Sequence, residues 1–455
     1  MRAFSAVSTT GIYCRPECPG RPLPEHVTKY ELPAAAEAAG YRACLRCRPY
    51  RNPKPLSWTG PELVCRAVRL ILDGALDGRT EAALGARLGV SPRHLRRLFT
   101  AHLGVTPDAL ARSARVHFAR RLLDDTDLPV FDVAGAAGFG SVRQLNRACH
   151  DVFRMSPREL RARRRVTDPI AGGSGLVLRL PFDGPLDWDG MLRFFAPRAI
   201  PGVEAVADGA YRRTIVVGGE PGALELTRGG ADHLLLRLHL PEWDELIHIV
   251  ERARRITGVD LELDGPARDL AGDPLIGPLV DAQPGLRVPG TWDPFETGVR
   301  AIAGQQVSVA AATTVTGRIA ARFGTPVAGG EAFGLDRTFP DAETLAGADL
   351  SGLGFTSGRA EAIRGFARAV AADEIRLDRS VSLDRFVASM VAVRGLGKWT
   401  AHYLALRMGE PDAFPDTDLG LVRSHARRSD TPLPRAAEAW RPWRALAAAH
   451  LWAAA

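Results

Sequence analysis

The sequence predicts a multidomain α+β protein with a small cysteine-bearing domain, an all-α domain, an α+β domain and a second all-α domain. Three observations support this prediction. The chain has 455 residues, which is enough for about three or four domains of roughly 100–200 residues each. Four of its six cysteines lie within the first 47 residues. Helical and strand-like hydrophobic patterns occupy separate stretches of the chain.

Composition excludes several classes of protein. Hydrophobic residues make up 46% and charged residues 24%, the balance of a folded globular chain rather than a disordered one. No apolar run approaches the ~18 residues of a membrane-spanning helix, and no signal region precedes the first motif, so we expect a cytoplasmic protein. The sparse cysteines exclude a secreted disulfide scaffold.

Positive charge is concentrated in the first third of the chain. Residues 1–165 contain 28 Lys and Arg against 15 Asp and Glu, a net charge of +13. Residues 166–455 contain 31 against 37, a net charge of −6. A basic block of this size indicates a nucleic-acid partner, with a solvated basic surface as the alternative.

Shifts in composition and pattern give the predicted domain boundaries. A linker is expected at residues 166–175, which contain Pro169 and three glycines. Strand-like alternation follows it at 176–180, 214–217 and 233–240. The predicted domains are residues 1–55, 61–165, 176–270 and 280–455.

The first domain contains two cysteine hooks. Cys14 and Cys18 are spaced C-x3-C, and Cys44 and Cys47 are spaced C-x2-C. Two such hooks can close a tetrahedral four-cysteine Zn²⁺ site, because each places two thiolates on one tight turn. A segment of some 55 residues buries little core, so the metal would supply folding free energy. We therefore expect bound Zn²⁺, and a purely structural site is the alternative to a reactive one.

The residues around the hooks carry a specific resemblance. The stretches TTGIYCRPECPGR (9–21) and AGYRACLRCRP (39–49) resemble the N-terminal domain of the Ada methyl-phosphotriester sensor, over nearly all of residues 7–55. In that family one zinc-bound thiolate takes a methyl group from a DNA backbone phosphotriester. The resemblance implies that Cys14 is the methyl acceptor and a zinc ligand. It also implies three further ligands and two residues near the phosphate, namely Cys18, Cys44 and Cys47, and Thr10 and Arg21.

The implied chemistry is an electrostatic switch. Zinc binding keeps a thiol deprotonated at neutral pH, so it becomes a ready nucleophile. Four thiolates around Zn²⁺ give a formal charge of −2, and methylation of one sulfur reduces it to −1. Repulsion from DNA phosphates then weakens, so the covalent event raises DNA affinity. We expect a single-use reaction.

Two helix-turn-helix units are predicted within residues 61–165. The first is TEAALGARLGV followed by SPRHLRRLFTAHLG, with Ser91 as the N-cap of its second helix. The second is VFDVAGAAGFG (130–140) followed by a helix that Ser141 caps. The second helix of such a unit fits the major groove of DNA, and a generic helical bundle is the alternative. The side chains expected to face DNA are Arg93, His94, Arg96, Arg97, Arg143, Gln144, Asn146 and Arg147.

This helical segment resembles the AraC-type DNA-binding domain over about residues 62–165. Ada-type sensors carry this domain directly after the zinc domain. The resemblance therefore implies an alkylation-responsive transcription regulator, with promoter DNA and RNA polymerase as partners.

The stretch SMVAVRGLGKWTAHYLALR (389–407) predicts a helix-hairpin-helix. One helix ends before Gly395 and Gly397, and a second begins at about Lys398. The glycines let the backbone approach a phosphate, and the new helix N-terminus offers amide donors to it. An acidic residue, Asp418, follows 19 positions after Trp399.

That pairing resembles the helix-hairpin-helix DNA glycosylases, and more closely the AlkA-type 3-methyladenine glycosylases. The likeness covers nearly all of residues 176–452 and includes FETGVRAIAGQQVSVAAA (295–312) and WRPWRALAAAHLW (440–452). It implies Asp418 as the catalytic aspartate, with Asp416 as the runner-up. The implied base pocket consists of Trp399, Tyr403 and Trp452. The implied DNA contacts are Gln305, Gln306, Gly395, Gly397 and Thr400, with a monovalent cation at the hairpin.

The predicted reaction is hydrolytic base excision. An alkylated purine such as 3-methyladenine is cationic and stacks poorly, so it flips out at lower cost, and aromatic rings favour the cation. Asp418 would stabilise the sugar cation and orient water. Bifunctional members of the superfamily place a lysine nucleophile where this chain has Trp399, and Lys398 lies about 100° around the helix. We therefore expect a monofunctional glycosylase without lyase chemistry.

The predicted function is a fused alkylation sensor, transcription regulator and base excision repair glycosylase. One alternative is a transcription regulator whose catalytically silent glycosylase half is a DNA clamp, and another is a glycosylase that its front half merely tethers to DNA. Asp418 and the three pocket aromatics favour catalysis over the clamp. Cys14 favours sensing over tethering.

Overall fold

The computed structural model describes residues 3–51, 61–168, 170, 175–328, 330 and 334–455. Contacts divide the chain into two compact units. The first comprises Met1–Pro181 with Glu242–Glu251, and the second comprises Phe182–Pro241 with Arg252–Ala455. Among the helices in these described ranges, none has the length and apolar character to cross a membrane.

The first unit begins with a small four-stranded sheet. Its strands are β1 (Phe4–Val7), β2 (Ile12–Cys14), β3 (Val27–Tyr30) and β4 (Arg42–Ala43), in the order β3-β1-β2-β4. Strand β1 is antiparallel to β2 and β3, whereas β2 and β4 are parallel, with Tyr13 opposite Ala43. Because Cys14 and Cys44 follow these two paired residues, the parallel register brings the two cysteine hooks together.

Helices form the rest of the first unit that precedes its last strand, β5 (Leu176–Pro181). The helices are α1 (Pro33–Ala38), α2 (Glu62–Leu72), α3 (Glu81–Leu88), α4 (Pro92–Leu103), α5 (Pro107–Asp125), α6 (Val130–Ala136), α7 (Val142–Phe153) and α8 (Pro157–Ala162). The predicted caps are confirmed, since the Ser91 hydroxyl accepts the His94 N–H and the Ser141 hydroxyl accepts the Gln144 N–H, both at 3.2 Å.

A buried hydrogen-bond cluster joins the cysteine-bearing segment to α5. The Tyr13 hydroxyl donates to Oε1 of Glu37 at 2.6 Å, and Nε2 of His117 lies 2.6 Å from the same oxygen. Burial alone would raise the pKa of Glu37, but His117 and the Tyr13 hydroxyl lower it below its usual range. The residue before Cys14 is thus fixed to the longest helix of the first unit.

Buried ion pairs make a second connection between the same two parts. The pairs are Arg48–Asp168 at 2.6 Å, Arg51–Asp125 at 2.8 Å and Arg51–Asp124 at 3.3 Å. Arg48 directly follows the zinc-ligand candidate Cys47, and Asp125 ends α5. The cysteine-bearing segment and the helical domain are therefore joined by buried ion pairs.

The second unit contains an antiparallel sheet of β6 (Glu204–Ala207), β7 (Ala210–Val217), β8 (Glu220–Arg228) and β9 (His233–His239), paired in sequence order. The predicted strand stretches fall in β5, β7 and β9, whereas β6 and β8 were not foreseen. The helices that begin after Phe182 are α9 (Trp188–Phe195), α10 (Leu246–Ile256), α11 (Asp264–Leu270), α12 (Ile276–Ala282), α13 (Pro294–Ala303), α14 (Val309–Phe323), α15 (Ala342–Ala346), α16 (Ser357–Ala371), α17 (Leu383–Ala392), α18 (Lys398–Arg407), α19 (Leu419–Ala426), α20 (Leu433–Ala436) and α21 (Arg444–Ala453).

The predicted helix-hairpin-helix is formed by α17 and α18. Gly395 in its turn has φ +91°, and a Cβ there would lie 2.8 Å from the Cβ of Ala362. Only glycine fits such a left-handed position against a neighbouring helix without strain. The hairpin turn therefore packs closely on α16.

A buried cluster of four charges fastens the sheet of the second unit to α13. Arg213 donates to Glu296 at 2.7 Å, and Arg300 donates to Glu204 at 2.5 Å. Burial alone would raise the pKa of Glu204, but Arg300, Arg213 and the Tyr211 hydroxyl lower it to about 2. Each buried guanidinium is compensated by a carboxylate. The cluster therefore fixes α13, the helix that precedes Gln305.

Candidate active site and thiolate centre

Asp418 is held by four N–H donors at the start of α19. Its Oδ1 accepts the indole N–H of Trp452 at 2.9 Å and the backbone N–H groups of Gly420 and Leu421 at 2.9 and 3.1 Å. Its Oδ2 accepts the indole N–H of Trp399 at 3.1 Å. The carboxylate is therefore the N-cap of α19, and its two oxygens are tied to α21 and α18.

Three aromatic rings lie in contact with one another beside this carboxylate. Trp399 and Tyr403, four residues apart on α18, are stacked with centroids 5.4 Å apart and an interplanar angle of 12°. Trp452 meets Tyr403 edge-on at 6.2 Å. All three side chains are half-buried. The structure thus brings Asp418 and the whole predicted base pocket together.

Arginine side chains surround the hydroxyl of Tyr403 and hold its ring in place. Arg407 donates to the Tyr403 hydroxyl at 3.0 Å and to the carbonyls of Pro289 and Gly290 at 2.6 Å each. Burial alone would raise the pKa of Tyr403, but Arg407, Arg198 and Arg300 lower it below its usual range. Arg407 lies four positions after Tyr403 on the same helix, a spacing from which this contact could have been predicted.

The hairpin is connected to the end of α13 through Gln305. Its side-chain amide donates to the Gly395 carbonyl and to the Thr400 hydroxyl, both at 3.1 Å. Thr400 is only 1% exposed, so its hydroxyl is a buried partner that helps to hold the hairpin against Gln305. Gln306 is exposed and has a left-handed backbone, with φ +56°. Gly397 is the exposed N-cap of α18.

Asp416, the runner-up, lies in a different place from Asp418. It sits in the loop before α19, where its backbone N–H donates to the Phe414 carbonyl at 3.0 Å. Neither pocket indole donates to it, since both donate to Asp418. Lys398 is exposed at the first position of α18, one residue before Trp399.

The predicted zinc ligands form a compact cluster. The Sγ atoms of Cys14, Cys18, Cys44 and Cys47 all lie within 4.8 Å of one another. Zn–S bonds of about 2.3 Å in a tetrahedron place sulfurs about 3.8 Å apart, so the cluster fits a four-thiolate Zn²⁺ site.

The four sulfurs differ in their hydrogen bonds. Sγ of Cys44 accepts the Cys47 backbone N–H at 3.5 Å, and Sγ of Cys47 accepts the Arg15 backbone N–H at 3.4 Å. Within the described part of the chain, no backbone N–H donates to Sγ of Cys14. Hydrogen bonds with the thiols of Cys44 and Cys47 raise the pKa of Cys14. Cys14 is also half-buried, whereas Cys44 and Cys47 are 9% and 8% exposed.

The predicted phosphate contacts of this segment lie at its surface. Thr10 is exposed in the turn between β1 and β2, and its hydroxyl donates to the Val7 carbonyl at 3.4 Å. Arg21 is exposed after the first hook. Their roles at a phosphate stay predictions.

The predicted DNA-facing side chains of α4 and α7 differ in their exposure and in their contacts within the protein. The exposed ones are Arg93, Arg96, Arg97, Arg143, Gln144 and Arg147, and His94 is half-buried. Arg96 pairs with the buried carboxylate of Glu81 on α3. The Asn146 amide donates to the Val142 carbonyl at 2.9 Å within its own helix. Arg96 and Asn146 therefore already have partners within the protein, and these contacts would compete with contacts to DNA. The helical pattern of the sequence does not indicate them.

Four family models match successive parts of the chain. They describe the metal binding domain of Ada (residues 1–50), a helix-turn-helix domain (84–163), the AlkA N-terminal domain (177–293) and the HhH-GPD superfamily base excision DNA repair protein (299–443). Together with the thiol cluster, these matches confirm the predicted family resemblances, the multidomain α+β class and the zinc-binding domain.

Individual proteins align over long stretches. The chain is 40% identical to the probable bifunctional transcriptional activator/DNA repair enzyme AlkA of Mycobacterium tuberculosis (strain H37Rv), over 98% of this chain and 92% of that protein. It is 34% identical to DNA-3-methyladenine glycosylase 2 of Escherichia coli (strain K12), over 60% of this chain and 95% of that protein. The solved 3-methyladenine DNA-glycosylase from Archaeoglobus fulgidus covers 60% of this chain and 96% of its own, with a TM-score of 0.54 at 21% identity, a likeness of fold alone.

The order of the four matches and the length of the first alignment agree with each other. The alignment covers 98% of this chain at 40% identity, so it extends through the thiol cluster, both helix-turn-helix units and the Asp418 site. The chain therefore belongs to the family of bifunctional transcriptional activator/DNA repair enzymes that the Mycobacterium tuberculosis protein represents.

Proposed function

We propose that the second unit is a monofunctional DNA glycosylase that excises alkylated purines such as 3-methyladenine in base excision repair. The observation that carries this proposal is the Asp418 carboxylate, aimed by the indoles of Trp399 and Trp452 beside stacked aromatic rings. The names of the aligned relatives support the same activity.

The geometry suggests how the reaction proceeds. Trp399, Tyr403 and Trp452 offer aromatic surface to a flipped cationic purine. Cleavage of the N-glycosidic bond leaves its electron pair on the base, which departs neutral. Of the two Asp418 oxygens, Oδ2 accepts one indole N–H and Oδ1 accepts three N–H groups. Oδ2 is therefore the oxygen we assign to stabilising the sugar cation and orienting the water that adds to C1′.

Base release from methylated duplex DNA by the intact protein tests this proposal. Chromatography of the released bases should show 3-methyladenine, with turnover of more than one base per chain. A protein that binds the same DNA but releases no base would favour the alternative, a regulator whose second unit is a catalytically silent clamp.

A second function is supported by the thiol cluster. We propose that Cys14 accepts a methyl group from a DNA methyl phosphotriester: the O–CH₃ bond breaks, the S–CH₃ bond forms, and the electron pair stays on the phosphate oxygen. When bound, Zn²⁺ keeps the four sulfurs deprotonated. Cys14 lacks the backbone N–H donors that reach Cys44 and Cys47, so its thiolate is more nucleophilic than those two. The resemblance, in which Cys14 matches the methyl acceptor, distinguishes it from Cys18.

Peptide mass mapping tests the methyl transfer. After incubation with methyl-phosphotriester DNA, one added methyl group per chain should lie on the Cys14 peptide. DNA affinity should then rise, and rise more at low salt, because the change is electrostatic. Methylation of Cys47 instead, or unchanged affinity, would contradict this mechanism.

We further infer that the helix-turn-helix units bind promoter DNA and that RNA polymerase is the partner in activation. The exposed arginines of α4 and α7 and the name of the Mycobacterium tuberculosis relative support this inference. The boundaries 1–55, 61–165, 176–270 and 280–455, and the monovalent cation at the hairpin, also remain proposals. Transcription from a candidate promoter, with and without methylated protein, tests the regulatory part.

A further inference from the structure

A histidine next to the pocket has no role in the chemistry above. His402 lies on α18 directly before Tyr403, and its side chain is half-buried. Its Nδ1 accepts the backbone N–H of Phe414 at 3.3 Å. Phe414 belongs to the loop between α18 and α19, four residues before Asp418. His402 thus connects the helix that carries the pocket rings to the loop that leads to the carboxylate.

The Phe414 ring also meets Trp440 edge-on at 5.9 Å, and other polar anchors of this loop lie on either side of the His402 bond. Upstream, Arg444 donates to the Asp412 carbonyl at 2.8 Å and to its carboxylate at 2.7 Å. Downstream, the Asp418 N–H donates to the Pro415 carbonyl at 2.9 Å. The His402 bond therefore fixes the middle of the loop, between an anchor on α21 and the start of α19.

The charge on His402 decides whether this bond exists. The charged groups that face it are Arg444 on α21, Asp412 and Asp416 in the loop, and Asp384 on α17. Burial, aided by Arg444, lowers the pKa of His402 below its usual range, and the three carboxylates oppose this only in part. At neutral pH the imidazole is therefore uncharged, so its Nδ1 can accept a hydrogen bond.

We propose that His402 is a positioning residue that sets the location of Asp418 through Phe414, and that protonation of His402 releases the loop. This rests on the proposed catalytic role of Asp418. Protonation puts a hydrogen on Nδ1 that faces the Phe414 N–H, so the hydrogen bond is replaced by a repulsive contact. The bonds from Trp399 and Trp452 to Asp418 then loosen as the pH falls through the pKa of His402.

Two substitutions in the full-length protein distinguish the effect of the hydrogen-bond acceptor from the effect of protonating it. His402→Asn keeps an acceptor oxygen that does not titrate, and His402→Leu removes the acceptor at every pH. His239→Asn, at an exposed position on β9, is the matched control. Single-turnover excision is measured between about pH 5 and pH 8, together with the indole ¹⁵N–¹H resonances of Trp399 and Trp452.

The expected profiles differ in shape. Wild type and His239→Asn lose activity only on the acid side of the usual histidine pKa of about 6.5, because the pKa of His402 is lowered, and the two indole resonances shift over the same pH range. His402→Asn keeps its neutral rate and lacks this acid loss. At all pH values the rate of His402→Leu is about five-fold below that of wild type at neutral pH, the effect of one lost neutral hydrogen bond, and its indole resonances are shifted even at neutral pH.

Two results would overturn the proposal. The first is that His402→Asn loses activity in acid and shows the same shifts of the indole resonances as wild type. The second is that His402→Leu has the wild-type rate and wild-type indole resonances. The resonances report the loop whether or not turnover occurs. If wild type excised nothing, the proposed glycosylase function would fail, and the resonances would still decide whether His402 controls the Asp418 contacts.

Discussion

The indole N–H of Trp452 donates to Oδ1 of Asp418 at 2.9 Å, across 34 positions of sequence. Trp399 makes the equivalent bond to Oδ2 at 3.1 Å from a different helix. Two of the rings proposed to line the base pocket therefore also orient the carboxylate beside them. Any change to one of these indoles alters both the shape of the pocket and the aim of its acid group.

Replacing Asp418 by Asn should remove most excision of 3-methyladenine while DNA binding stays intact. The loss of a preorganised electrostatic contact of this type typically costs about 10²–10³ in rate. Asp416→Asn is the matched control and should cost far less, because both pocket indoles donate to Asp418 instead. Single-turnover excision by the two variants decides between the carboxylates, and a fully active Asp418→Asn would refute the assignment.

Trp452→Phe should slow excision about ten-fold, because the ring remains but the N–H bond to a carboxylate is lost. Trp443→Phe is the control, since it also removes an indole–carboxylate bond, to Asp269 at 2.8 Å, away from the pocket. We expect the control to keep the wild-type single-turnover rate. Equal losses in both variants would mean that stability, rather than the orientation of Asp418, limits the rate.

The DNA product should retain intact abasic sites. The resemblance to helix-hairpin-helix glycosylases places Trp399 where bifunctional members carry the lysine that forms a Schiff base, and an indole cannot form one. Gel analysis of the product with and without alkali measures this directly. Strand breaks that appear without alkali would show lyase chemistry and would direct attention to the neighbouring Lys398.

One equivalent of zinc should copurify with the protein, and Cys44→Ser should lose it and unfold the segment of residues 3–51. The reason is that the metal replaces a large core in so short a segment. Cys65→Ser is the control, because Cys65 lies on α2 outside the thiol cluster. Elemental analysis and limited proteolysis provide the measurements. A folded segment without bound metal would be incompatible with this expectation.

Local sequence signals predicted several features because their physics is local. Ser91 and Ser141 cap their helices through bonds to groups three residues away, and Gly395 provides the backbone angle that its turn requires. The spacing of Cys14 and Cys18 likewise indicated one hook. What brought the two hooks together, the parallel pairing of β2 and β4, lies in a Pro-rich segment whose short strands show no alternation.

Other features depend on contacts between distant positions, which no short pattern encodes. Arg96 projects from a predicted recognition helix, yet it pairs with Glu81, fifteen residues earlier on another helix. Arg407 bonds to Pro289 and Gly290 more than a hundred positions away. Whether such side chains turn to solvent or inward is decided by tertiary packing, so propensity and periodicity cannot predict it.

The ion pairs of Arg48 and Arg51 in the first unit limit how this gene can be rearranged. A break between the cysteine segment and the helical domain would separate these guanidiniums from Asp125 and Asp168. Without the cysteine segment these carboxylates would lose their guanidinium partners, and the surface of the helical domain that the segment now covers would be exposed to water. A recombination event that transferred the helical domain alone would therefore deliver a domain without these stabilising contacts.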